Sequence, residues 1–112
     1  MKITYATSKV EKYFADYSKL QRKIDPAWVK TIIKQMNALK AADRFADFLA
    51  LGLWHPEQLS GNDSDCWSLR ISGNVRLIIK PSADGKSVMI CTEVEVEGVC
   101  DYHGDKNNWY IP

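Results

Sequence analysis

The hydrophobic pattern changes its period near residue 66, and this change limits the chain to folds in which helices and strands occupy separate stretches. Apolar residues recur at three- and four-residue steps up to about residue 41, as they do on one face of a helix. From residue 67 they alternate with polar residues, which is typical of a strand with one buried face. Helices followed by sequential strands predict an α+β domain, with the helices on one side of an antiparallel sheet.

Two helix-start signals divide the N-terminal part of the chain. Thr7 or Ser8 can accept a hydrogen bond from an unpaired backbone N–H at the start of a first helix. Asp25 followed by Pro26 combines a capping side chain with a proline at the first helical position. We therefore expect a short strand at residues 2–6, then one helix that is continuous to residue 20 and a second that ends near residue 41.

Turn-forming residues set the expected borders of the remaining elements. Asp43 can cap a third, short helix, and residues 53–66 contain the proline, glycine and asparagine of a loop. Gly73 and Asn74 predict a tight turn between the two strands of a hairpin. A further strand over residues 87–97 completes a three-stranded antiparallel meander.

The net charge of +1 conceals an uneven distribution. Residues 1–40 carry nine Lys and Arg against three Asp and Glu, whereas residues 41–112 carry six against eleven. The N-terminal excess is either a basic face for a polyanion or the solvated side of amphipathic helices. In the acidic part, we expect Glu93, Glu95 and Glu97 to face water and to protect a sheet edge.

Cysteine usage and hydropathy both favour a cytoplasmic protein without a metal or a cofactor. Cys66, Cys91 and Cys100 are odd in number and lack the CxxC spacing, so we expect buried or half-buried free thiols. A metal site built from Cys91, Cys100 and His103 is the alternative, but its spacing matches no zinc signature. No apolar run is long enough to span a bilayer, and the first residues lack the pattern of a signal peptide.

Two pairs of residues are the strongest candidates for chemistry. His55 and His103 are the two histidines of the chain, and imidazole exchanges protons readily near neutral pH. The alternative for each histidine is a surface or capping residue without a catalytic role. Arg70 and Arg76 flank the predicted hairpin turn on neighbouring strands, where two guanidinium groups can hold a phosphate. The alternative for the arginines is pairing with acidic side chains of the next strand.

Three motifs occur in the order seen in one known family. The first is the Leu-Trp-His-Pro sequence at residues 53–56, the second is the hairpin at residues 67–78, and the third is Asp101-Tyr102-His103. Together they resemble the RelE/HigB toxin superfamily, in its HigB-like, plasmid maintenance killer branch. The resemblance covers residues 53–103 by motif, and the preceding strand and helices by their order.

The resemblance implies a single RelE-like domain over residues 1–112, in which an N-terminal strand and two to three helices pack on the sheet. It implies a toxin of a type II toxin–antitoxin system that acts as a metal-independent, ribosome-dependent mRNA endoribonuclease. In such enzymes the ribose 2′-hydroxyl attacks the adjacent phosphate. The implied partners are mRNA, the ribosome and a cognate antitoxin with a helix-turn-helix domain.

The family's site residues can be carried over position by position. The implied catalytic set is His55, Arg76, Asp101, Tyr102 and His103, with Arg70 joining Arg76 at the phosphate. The histidines would be the acid–base pair. Asp101 would orient a histidine, and Tyr102 would contact the substrate.

The chain departs from the family pattern in three respects. Val75 stands where the family has tryptophan, and residues 104–112 form a C-terminal extension with an apolar-aromatic tail. The sequence pI of about 7.7 is also low for a protein that docks on ribosomal RNA. A second hypothesis is therefore a non-catalytic protein of the same fold that binds an antitoxin or RNA.

Overall fold

The computed structural model describes residues 1–61, 64–83, 85–103 and 106–112, with the side chains of residues 103, 106 and 107 outside the description. The described ranges contain four helices, Ser8–Ala15 (α1), Tyr17–Lys23 (α2), Pro26–Ala41 (α3) and Phe45–Leu49 (α4). They also contain six strands, Lys2–Tyr5 (β1), Glu57–Gln58 (β2), Trp67–Ser72 (β3), Val75–Pro81 (β4), Glu93–His103 (β5) and Lys106–Ile111 (β6). None of these helices combines the length and apolar character that crossing a bilayer requires.

The predicted first helix is two helices, because Asp16 interrupts it. Asp16 has extended backbone angles, and its Oδ1 accepts hydrogen bonds from the Ser18 backbone N–H at 3.1 Å and the Ser18 hydroxyl at 2.6 Å. The aspartate thus ends α1 and caps α2 in the same place. The apolar stripe nevertheless continues across the break, since Val10, Phe14 and Leu20 are all buried.

The other predicted helix starts are confirmed with one shift. Thr7 accepts a hydrogen bond from Val10 N–H, and Asp25 accepts one from Ala27 N–H. The short helix α4 starts after Arg44 rather than Asp43. The reason is that the Asp47 carboxylate lies one turn into the helix and accepts the Arg44 backbone N–H at 3.1 Å.

The sheet is mixed rather than purely antiparallel, and the α+β class is confirmed. Its order is β1-β5-β4-β3-β2. On the side of β5 away from β4, β1 pairs with the first half of β5 and β6 pairs with the second half. β1 runs parallel to β5, whereas the other pairs are antiparallel. Because four helices and a hairpin separate β1 from β5, no tight turn forces this pair to be antiparallel.

The C-terminal part differs most from the expectation. Val88–Ile90 is a 3₁₀ turn, so β5 starts at Glu93 and extends to residue 103. The extension then returns as β6, which pairs with β5 and buries Ile111. Gly98 makes this pairing possible, because a Cβ there would lie 1.8 Å from the Ile111 carbonyl oxygen.

The main hydrophobic core lies between the helices and one face of the sheet. The helices contribute residues that are fully buried, including Val10, Leu20, Val29, Ile32, Met36 and Leu39. The strands contribute Leu69, Leu77, Ile79, Val94, Val96 and Val99. The helices cover only this face of the sheet, and we call the opposite one the open face. There Ile78 and Cys100 are buried in a second, small cluster with Leu59.

Candidate functional site

A row of side chains crosses the open face on four neighbouring strands. Arg70 of β3 is in register with Arg76 of β4, which is in register with Cys100 of β5, and Cys100 is in register with Trp109 of β6. Residues in register on adjacent strands project to the same side of a sheet. The flanking residues, such as Leu77, belong to the core on the other side. We call these four residues the arginine row.

The two arginines of this row have no carboxylate partner among the described residues. The Arg76 guanidinium instead donates to the carbonyl oxygens of Gly73 at 2.5 Å and Val75 at 3.2 Å. Arg70 is exposed, and its carbonyl oxygen accepts a hydrogen bond from the Gln35 side chain of α3 at 2.9 Å. Cys100, rather than an acidic residue, lies opposite Arg76 on β5. The predicted alternative, pairing with acids of the next strand, is therefore wrong for these arginines.

The His55 loop is fixed beside Arg70. Trp54 and His55 both have positive φ angles, 60° and 48°. The Trp54 ring stacks on Phe48, and its carbonyl oxygen accepts the Arg70 backbone N–H at 2.7 Å. His55 itself is exposed, and its Nε2 lies 2.7 Å from Glu57 Oε1. A carboxylate at this distance orients the imidazole and leaves its other nitrogen available to solvent.

Tyr102 and Asp101 project to different sides of β5. Tyr102 packs against the small apolar cluster that contains Cys100 on the open face, and its backbone N–H bonds the Asn74 carbonyl at the hairpin turn. Asp101 is in register with Val75, which belongs to the main core, so this carboxylate lies on the helix side. Tyr102 therefore joins the arginines on the open face, whereas Asp101 does not.

His103 ends β5, where its backbone pairs with residue 106. Its side chain lies outside the described residues, and so does the predicted meeting of the two histidines. The structure thus brings the backbone of His103 to the same end of the sheet as the hairpin turn, one residue beyond Tyr102.

The cysteines are buried or half-buried, as predicted. Burial and the neighbouring Asp101 charge raise the pKa of the Cys100 thiol to about 11, although Arg76 acts in the opposite direction. A thiol with this pKa stays protonated at neutral pH and is a poor nucleophile. Within the described ranges, no three His, Cys, Asp or Glu side chains are grouped to hold a metal ion.

The acidic part of β5 was wrongly predicted to protect a sheet edge. β5 is paired on both sides, and Glu93, Glu95 and Glu97 are half-buried on the open face. Glu97 occupies a bulge, where the register shifts between Ile78 and Ile79. The neighbouring Gly98 was the available signal, because glycine inside a strand often marks a bulge.

Crowding changes the ionisation of this acidic group. Burial raises the pKa of Glu97 to about 7, and a hydrogen bond and negative charge from Glu95 act in the same direction. Lys80, which lies opposite Glu95 on β4, lowers that pKa in part. We call Lys80, Glu93, Glu95 and Glu97 the glutamate end of the open face.

Comparison with known proteins identifies the fold. No family model matches the chain, and no curated protein matches it. Among solved structures, the chain is similar to a YoeB/ParE toxin from Agrobacterium tumefaciens, with 23% sequence identity and a TM-score of 0.58. The match covers 92% of this chain and 100% of that one. The expected resemblance to a toxin is thereby supported at the level of the fold, without selecting the HigB-like branch. The chain has the fold of a YoeB/ParE toxin.

Proposed function

We propose that this chain is the toxin of a type II toxin–antitoxin system and that it cleaves mRNA on the ribosome. The observation that carries the proposal is the pair Arg70 and Arg76, in register on the open face of a toxin fold and without a carboxylate partner among the described residues. Two cations in this arrangement form a binding site for a phosphate. The family resemblance at residues 53–103 supports the same function.

The proposed reaction is a transesterification within the RNA strand. The ribose 2′-oxygen forms a bond to the adjacent phosphorus while the bond from phosphorus to the 5′-oxygen breaks. The products are a 2′,3′-cyclic phosphate and a 5′-hydroxyl. Arg70 and Arg76 stabilise the negative charge that develops on the phosphate oxygens.

Histidines carry the protons in this scheme. His55, oriented by Glu57, accepts the proton of the 2′-hydroxyl, and His103 donates a proton to the leaving 5′-oxygen. Tyr102 contacts the substrate from the open face. Asp101 lies on the other side of β5 from the arginines and two residues before His103, so its proposed role is to orient His103 rather than to bind the phosphate. The reaction needs no metal or cofactor in this proposal.

The helical layer offers a separate surface for the ribosome. Lys12, Lys19, Arg22 and Lys23, together with Tyr13, line an open groove of about 340 Å³ on α1 and α2. Cations concentrated there favour binding to the phosphates of ribosomal RNA. This supports the interpretation of the N-terminal charge excess as a polyanion-binding face. A cytoplasmic antitoxin with a helix-turn-helix domain is the proposed inhibitor.

End-group analysis of RNA tests the proposal. The purified chain is incubated with mRNA, with and without ribosomes, and the fragments are mapped and their ends identified. We expect cleavage that requires ribosomes and leaves 2′,3′-cyclic phosphate and 5′-hydroxyl ends. Binding of the RNA or ribosome without any new ends would contradict the catalytic proposal and support the non-catalytic hypothesis.

A further inference from the structure

Trp109 differs from the other three tryptophans of the chain in its surroundings. Trp28 packs against Tyr110, Trp54 against Phe48 and Trp67 against Phe45, with ring centroids 5.2 to 6.1 Å apart. Trp109 has no such ring partner among the described residues, and 43% of its surface is exposed. An exposed indole without a ring partner offers a flat apolar surface that a ligand can cover.

The indole is nevertheless held in place on the open face. β6 pairs with β5 in a register that sets Trp109 opposite Cys100, and Ile111 is fully buried at the end of the same strand. A Cβ at Gly98 would lie 3.1 Å from Trp109 Cζ3, so the ring reaches over this glycine. The side chain thus has an anchored part and a solvent-facing part.

The position of Trp109 relative to the arginines is set by the strand spacing. Trp109 lies two strands from Arg76, which corresponds to roughly 10 Å between their backbones. It follows Arg70, Arg76 and Cys100 along one row on the same face. Cations beside an exposed aromatic ring are the combination with which proteins bind single-stranded nucleic acid.

We propose that Trp109 is a stacking platform for an unpaired base of the RNA substrate, next to the phosphate held by Arg70 and Arg76. The inference rests on the proposed RNA substrate and adds a specificity-determining residue from the C-terminal extension. Stacking tolerates every base but is strongest for purines, whose rings are larger. The extension therefore contributes to the substrate site instead of only completing the sheet.

The test is a thermodynamic cycle between the indole and the base. The probes are short single-stranded RNA oligonucleotides with 2′-O-methyl groups, which cannot be cleaved, and the same strands with one nucleotide at a time made abasic. Affinities are measured for the parent chain, Trp109→Ala and Trp109→Phe. The matched control is Ile90→Ala, which removes a side chain of similar exposure, 48%, away from the arginine row.

We expect Trp109→Ala to weaken binding about tenfold, Trp109→Phe to retain most of the affinity, and Ile90→Ala to bind like the parent. Removal of one particular base should weaken binding by the parent to the same extent and should have no further effect on Trp109→Ala. Thermal unfolding of each variant establishes that it is folded, and Trp109→Phe keeps an aromatic ring in case the alanine variant is not.

Two results overturn the inference in different ways. Additive losses from removing the indole and the base, in a parent that cleaves mRNA, would refute stacking and leave the ribonuclease proposal intact. Failure of the parent to bind any of the oligonucleotides would refute the stacking site and leave the ribosome-dependent cleavage to the end-group analysis. A non-additive cycle in a parent that cleaves no mRNA would support stacking and contradict the ribonuclease.

Discussion

The two ends of the open face differ in charge, with two arginines at one end and three glutamates beside a lysine at the other. At the arginine row, Arg70 and Arg76 face each other across β3 and β4, and no described carboxylate pairs with either of them. At the glutamate end, Lys80 lies beside Glu95, and Lys2 of β1 is 3.8 Å from Glu93. Arg70 is exposed and Arg76 is half-buried, whereas Glu93, Glu95 and Glu97 are all half-buried. We infer that the first end acts on substrate and the second affects stability.

The largest effect is expected from a substitution of His103, at the end of β5 that crosses the arginine row. We expect expression of the chain without an antitoxin to arrest growth and His103→Ala to abolish that arrest, because loss of the proposed general acid should slow cleavage by about 100-fold or more. Lys80→Ala is the matched control, since this lysine is exposed on the open face at the glutamate end. Growth after induction is measured at equal protein levels. Equal growth arrest by the two variants would contradict the proposed role of His103 in toxicity.

The next effect concerns the attachment of β6, which carries Trp109 to the arginine row. Gly98→Ala introduces a Cβ 1.8 Å from the Ile111 carbonyl oxygen at a backbone φ of 149°. We expect the free energy of unfolding to fall by about 3 kcal/mol, and the Tm by about 12 °C.

Gly85→Ala is the control for this substitution, because Gly85 also has a positive φ but no atom within 4 Å of an added Cβ. Its backbone strain alone should cost about 1 kcal/mol. Equal losses for the two variants in thermal unfolding would contradict the close approach of β6 to Gly98.

The smallest effect is a pH dependence from the glutamate end. Because the pKa of Glu97 is raised to about 7 from 4.5, the folded chain binds more protons than the unfolded chain between these values. Stability should therefore fall as pH rises from about 4.5 to 7 and stay lower above that. Glu97→Gln should remove this slope and stabilise the chain at pH 8 by about 1 kcal/mol, since partial solvation weakens the effect.

Glu93→Gln is the control for the pH dependence, because it removes only the ion pair of a half-buried glutamate with the exposed Lys2. Chemical denaturation at pH 5 and pH 8 gives the slope for each variant. A slope in Glu97→Gln that equals that of the parent would assign the pH dependence to other groups.

Local signals predicted the helical layer and the hairpin well. The Thr7 and Asp25 caps are where the sequence indicated, and Gly73-Asn74 separates β3 from β4. These features depend on a few neighbouring residues, so one sequence is enough to read them. The break at Asp16 was missed because the apolar stripe is continuous across it, although an aspartate inside a helix was the signal.

The pairing of strands that are distant in the chain could not be predicted from the sequence. Nothing local indicates that β1 pairs with β5 in parallel, or that residues 106–111 return along β5. The consequences reach the site, because the pairing of β6 puts Trp109 on the open face and the pairing of β1 makes β5 an interior strand. Of the residues that the motifs indicated, Arg70, Arg76 and Tyr102 lie on the open face. Asp101 lies on the other side, because side chains alternate along β5.

Single-turnover cleavage of ribosome-bound mRNA by arginine variants tests the central claim most directly. Arg70→Ala and Arg76→Ala should each lower the cleavage rate, with a loss of roughly 100-fold for Arg76→Ala, because each guanidinium stabilises the charge on the phosphate. Arg44→Ala, which removes an exposed arginine paired with Asp47 on α4, should cleave within about twofold of the parent. Rates for Arg76→Ala and Arg44→Ala that match the parent would contradict the assignment of the arginine row to the scissile phosphate.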